Sequence, residues 1–253
     1  MNHLVIALIV FGCVFGSSLV GMWARAILPP HHLSDQSINV VKMATGLIAT
    51  MAALVLGLLV SSAKGTFDTT SAELVQNSAS VIHLDRVLAK YGPETREVRG
   101  LLKSIYAEKV QILGSGDAAL VGRLGDAEAV AKLEDFQRTL EALAPRDDQQ
   151  RQLKAQALQI LDTAFAARWL ALLQMKSTIP VSLLIVLVLW LSIVFGTFGM
   201  FADRNGTIIA ALMLCALSTS GAIFLIEEMS TPLNGMVTVS LAPMRDALAH
   251  LGQ

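Results

Sequence analysis

Apolar residues in this chain come in long blocks toward its two ends and in spaced stripes between them. A helix that crosses the ~30 Å hydrocarbon core of a bilayer needs about 20 mostly apolar residues. Residues 4–23, 38–63, 179–201 and 206–226 each meet that requirement. The first block has no charged residue, and the second has only Lys42, near its start, from where the side chain reaches the interface. Pro180 suits the first turn of the third block. Asp203, Arg204 and Asn205 precede the fourth, and Glu227 and Glu228 follow it.

Between the blocks the pattern changes to steps of three and four. Leu74, Asn77, Val81, Leu84, Leu88 and Tyr91 form one helical stripe, with Asn77 its only strongly polar member. Gly92-Pro93 breaks that helix, and Pro93 can open the next, which carries Val98, Leu101, Leu102, Ile105 and Ile112. A loop with Gly114, Gly116, Gly122 and Gly125 follows, then a third helix over about 126–143, stopped by Ala144-Pro145. Asp147 or Asp148 can cap a fourth, with Leu153, Leu158, Ile160, Leu161, Phe165 and Leu170. After the last block, Val237, Leu241, Met244, Leu248 and Leu251 predict a short amphipathic helix lying on the membrane surface or on the insert. The expected fold is all-α: a polytopic membrane protein with four transmembrane helices and a helical extramembrane insert. Its parts are a first helix pair (1–63), the soluble insert (64–177), a second helix pair (178–229) and the amphipathic tail (230–253).

Composition sharpens this division. The chain is 54% hydrophobic and 15% charged, and 30 of its 39 charged residues fall within 62–177. The remainder is too apolar to face water, which excludes a freely soluble enzyme, a disordered chain and a disulfide-stapled secreted domain. A net charge of −1 offers no field for nucleic acid, so the expected partner is the lipid bilayer. Cys13 and Cys215 lie in apolar blocks and read as small hydrophobes. The first block lacks the cationic start of a signal peptide, and a retained helix is expected. Lys64, Arg168, Lys176 and Arg245 flank the membrane on the insert's side, against Arg25, Lys42 and Arg204 on the other. This bias predicts a cytoplasmic insert, in a bacterial inner (plasma) membrane.

Few residues suggest chemistry. His31, His32 and Asp35 are of metal-ligating type, but adjacent residues chelate one ion poorly. An interfacial turn capped by Ser34 or Asp35 explains them as well, and a pH-sensing pair is a third reading. No metal or cofactor is expected. The stretch Gly114-Ser115-Gly116-Asp117 lacks the lysine and preceding strand of a phosphate loop. No nucleophile elbow, Cys-x-x-Cys pair or His-Glu-x-x-His helix occurs, so no enzymatic activity is expected. Glu227 and Glu228 can attract cations at a pore mouth, or simply end a helix in water.

The second block says most about function. Ala49, Ala53, Gly57 and Ser61 recur every four residues, with Gly46 and Thr50 on the same side, as a smooth face for helix packing. Ile48, Met51, Val55 and Leu58 form a bulky row opposite. The row faces lipid or core in one reading. In the other it lines a pore within a homo-oligomer, gates by dewetting, and has Lys42 to draw anions.

Several strings together resemble the bestrophin-like membrane family. They are Pro29-Pro30-His31-His32-Leu33-Ser34-Asp35, Val41-Lys42, Thr45-Gly46-Leu47-Ile48-Ala49-Thr50, Leu56-Gly57-Leu58 and Ser61-Ser62-Ala63-Lys64. Leu84-Asp85-Arg86, Tyr91-Gly92-Pro93-Glu94, Glu228-Met229, Pro232, Gly235, Ser240 and Pro243-Met244-Arg245 extend the likeness toward the C-terminal end. The resemblance implies an oligomeric anion channel with its pore along Ile48, Met51, Val55 and Leu58. The second block departs from bestrophins in having no aromatic residue, so chloride selectivity is not implied. Conduction of an anion or small solute is the expected function. The alternative is a non-conducting sensor or scaffold whose insert binds a partner protein.

Overall fold

The computed structural model describes residues 3–29, 35–174 and 181–253. Those residues are helical wherever they are regular: α1 (His3–Ile27), α2 (Asp35–Tyr91), α3 (Arg96–Gly114), α4 (Ala118–Gly122), α5 (Ala127–Glu141), α6 (Asp148–Gln174), α7 (Val181–Phe201), α8 (Gly206–Ser230) and α9 (Ala242–His250). Helices α1, α2, α7 and α8 are long and apolar enough to span a bilayer. The protein is therefore an all-α polytopic membrane protein with a helical extramembrane insert. The chain forms two compact units, Met1–Thr66 with Ile179–Ser230, and Phe67–Thr178 with Thr231–Gln253; α2 contributes to both.

In the membrane unit, the core is built from one side of each helix. Val10 and Val14 of α1 meet Ala52, Leu59 and Ala63 of α2, Leu187 and Phe195 of α7, and Ala216, Ile223 and Ile226 of α8. Hydrocarbon is as apolar as leucine, so close contact between backbones must supply the attraction that burial supplies in water. Helices α1 and α7 provide it. A Cβ on Gly21 would overlap the Gly196 carbonyl, and one on Gly199 would overlap the Ser18 carbonyl. Two arginines join the adjoining ends of α1 and α7. Arg25 Nη1 donates to the Ala202 carbonyl at 2.6 Å and Arg204 Nη2 to the Met22 carbonyl at 2.8 Å. Arg25 also pairs with Asp203 at 3.2 Å.

In the second unit, α2 ends at the predicted Gly92-Pro93 break, where Gly92 takes φ 136°, a conformation that favours glycine. The buried Thr95 hydroxyl lies 2.6 Å from the Leu88 carbonyl and 2.8 Å from that of Gly92, satisfying orphan acceptors at the α2 terminus. Asp147 caps α6, its Oδ1 accepting from the Gln150 amide at 2.7 Å. One core joins Leu84, Val87 and Leu88 to Val98, Leu102, Phe136, Leu140, Ala157 and Leu161. A second holds the tail, with Val239, Met244, Ala247 and Leu251 against Leu74, Tyr106, Val110 and Leu113. Of the two surfaces predicted for the tail, it covers the insert. The glycine-bearing loop after α3 contains α4, which the sequence reading missed; Asp117 caps it by accepting from the Ala119 amide at 2.9 Å.

Candidate functional site: the outward side of helix α2

Helix α2 turns Thr45, Ala52, Leu59 and Ala63 into its own unit. These residues repeat at seven, seven and four, so a single edge of the helix is buried. Much of its remaining surface is uncovered within the chain. Gly46, Thr50, Ala53, Gly57, Ser61 and Ser62 are exposed, and a Cβ added at Gly46 or Gly57 would meet nothing within 4 Å. Ala49 is half-buried. The smooth face read from the sequence is thus not the seam that packs α2 against its own chain. That role falls to the buried row, while backbone-to-backbone contact joins Ser18 and Gly21 of α1 to Gly196 and Gly199 of α7.

The bulky row is divided. Met51 and Leu58 are exposed, together with Met43, Leu47 and Leu54, whereas Ile48 and Val55 are half-buried and Val55 packs on the unit's core. Lys42 extends over the Phe201 ring of α7, with Nζ 5.9 Å from the centroid. A cation so placed is held by the ring's quadrupole near the start of the span.

His31, His32 and Ser34 lie outside the described residues, as does Pro180. Asp35 opens α2 as an exposed acid in its first turn, where the helix dipole favours negative charge. Among the described residues no group of three or more His, Cys, Asp or Glu side chains could hold a metal ion.

Two polar clusters were not singled out by spacing. Glu228, 4% exposed, accepts from or shares a proton with His3, whose Nδ1 is 2.9 Å from its Oε1. This carboxylate is not simply solvated at its helix end. In the second unit, Lys109 of α3 donates to Asn77 Oδ1 of α2 at 3.1 Å, and Arg168 of α6 donates to the Leu124 carbonyl. Burial, and then the charge of Arg168, lower the Lys109 ammonium pKa from 10.5 to about 8. Burial also lowers that of Arg168. The sequence signal for this cluster was Asn77, the polar member of an apolar stripe.

Four apolar spanning helices joined by a helical domain define the class of the molecule: a helical integral membrane protein with one long helix uncovered on its outer side. The sequence model of the bestrophin-like domain matches residues 12–244, and the chain belongs to the bestrophin-like family. No curated protein and no solved structure matches it significantly.

Proposed function

We propose that the protein is a homo-oligomeric channel that passes anions or small solutes along α2, that it is not an enzyme, and that its insert faces the cytoplasm. One observation carries this reading. The small and hydroxyl-bearing side of α2 is exposed in a single chain. Such residues gain little from lipid and much from a second helix or from water. In a ring of copies, Gly46, Ala53, Gly57 and Ser61 would pack against the neighbouring chain, while the exposed Met51 and Leu58 would line the path, with Ile48 and Val55 at the edge of the lining. An apolar constriction of this kind closes by dewetting rather than by a plug. Lys42 would raise the local anion concentration at the mouth. Membership of a family described as bestrophin-like supports the same reading.

Purified protein in liposomes, assayed for halide and small-anion flux across a range of pH and voltage, tests it. Flux that depends on protein is expected. Its absence under every condition would leave the non-conducting scaffold, with the insert as its docking domain.

A further inference from the structure

Three helices of the second unit bring cationic and amide groups together where the α2 stripe is otherwise apolar. Asn77 comes from α2, Lys109 from α3 and Arg168 from α6. Lys109 donates to Asn77 Oδ1 at 3.1 Å, and Arg168 donates to the carbonyl of Leu124, whose side chain packs on the same core as Leu74 of α2 and Tyr106, Val110 and Leu113 of α3, the residues around Asn77 and Lys109. Elsewhere in the unit, cations with carboxylate partners are plentiful: Arg99 with Asp85, Lys132 with Glu108 and Glu128, Arg146 with Glu94. Among the described residues no carboxylate pairs with Lys109 or Arg168, although both are partly buried. Two like charges withdrawn from water and set near each other are costly unless an anion joins them.

The donors left over define what that anion must be. The Lys109 ammonium has two N–H groups beyond its bond to Asn77, and the Arg168 guanidinium has four beyond its bond to Leu124. With Oδ1 facing Lys109, the Asn77 amide nitrogen supplies further donors and no acceptor. A planar fork beside an ammonium matches an oxyanion with several acceptor oxygens better than a spherical halide. We propose that Asn77, Lys109 and Arg168 form a binding site for a phosphoryl-type oxyanion in the insert. The site is independent of any conduction along α2. Its ligand is either a free phosphate group or the phosphate of a lipid headgroup, which share this chemistry.

The test uses the full chain in neutral detergent, followed by thermal unfolding at constant ionic strength. Inorganic phosphate replaces chloride in one arm, and phosphatidylglycerol is doped into the micelles in the other. A saturable rise in Tm is expected in at least one arm, and the arm that responds names the source. Lys109→Met and Arg168→Met should each weaken the response about tenfold or more, while Lys109→Arg should retain it. Equilibrium dialysis of labelled phosphate, and of a labelled short-chain phosphatidylglycerol, against the wild-type chain keeps the test open if a variant fails to fold. No saturable response to either probe, or an undiminished response in both methionine variants, would overturn the proposal.

Discussion

Asp85 shows how one buried carboxylate organises its surroundings. It is 1% exposed and takes a two-pronged pair from Arg99, Nε to Oδ1 at 2.8 Å and Nη2 to Oδ2 at 2.9 Å. The same Oδ2 accepts from the Gly252 amide at 3.3 Å, and Arg99 Nη2 also donates to the Gln253 carbonyl at 2.8 Å. Removing one partner of such a pair leaves the other charge buried and uncompensated, at a cost of about 3 kcal/mol or more. Asp85→Ala should therefore lower the unfolding midpoint sharply and expose the last residues of the tail to protease; an unchanged midpoint would show that the pair is not structural. Lys109 gives a prediction of opposite character. Its folded-state pKa, about 8, lies below the ordinary 10.5, so across that window the unfolded chain holds a proton the folded chain has shed. Stability contributed through this group then rises with pH between those values. In anion-free buffer the wild-type midpoint should gain on that of Lys109→Met over the window, and parallel profiles would count against a desolvated Lys109. Neither site was visible from spacing. Asn77 lies on a readable stripe and Asp85 beside it, but Arg99 and Lys109 reach them from another helix, and partners that far apart in sequence leave no periodic trace.

At the scale of elements, punctuation was readable and close approach was not. Gly92-Pro93 and Ala144-Pro145 stop helices for steric reasons that act within a few residues, and both breaks are observed. The short α4 was missed because its five residues are too few for a periodic pattern. In α2 the small residues recur at a constant spacing of four, which marks a face; in α1 and α7 the contacting Ser17, Ser18, Gly21, Gly196 and Gly199 offer a single interval of four, Ser17 to Gly21, too short a run to mark one. Yet the second set is where backbones touch. A side chain added there has nowhere to go, since a Cβ on Gly199 would already overlap the Ser18 carbonyl. Gly199→Val should cost about 3 kcal/mol, read as a large drop in the detergent melting temperature with parallel loss of yield. A tolerated valine would mean that α1 and α7 are further apart than this seam requires.

The whole molecule is where the uncovered side of α2 acquires consequence, and a second glycine separates assembly from folding. Gly57 sits on the small face, with nothing within 4 Å of an added Cβ. A side chain begun there starts in open space among the described residues, and replacing glycine inside a helix gains roughly 0.5–1 kcal/mol of helix propensity. Gly57→Leu should thus leave the melting temperature of the isolated chain unchanged or slightly raised. If copies associate through this face, the leucine holds their backbones apart and removes the close packing that drives association in lipid. The expected result is a wild-type oligomer in detergent, measured by light scattering corrected for bound detergent, that falls to a monomer in Gly57→Leu with helicity intact. Anion flux in liposomes should fall with it, because a pore along α2 requires several copies. Leu58→Ser, one residue on, should instead keep the oligomer and raise the leak, since a hydroxyl in an apolar constriction lowers the cost of wetting it. The pair of variants divides the proposal into its two physical claims. Persistence of the oligomer in Gly57→Leu would move the interface to another helix, and an unchanged leak in Leu58→Ser would remove the bulky row from the path.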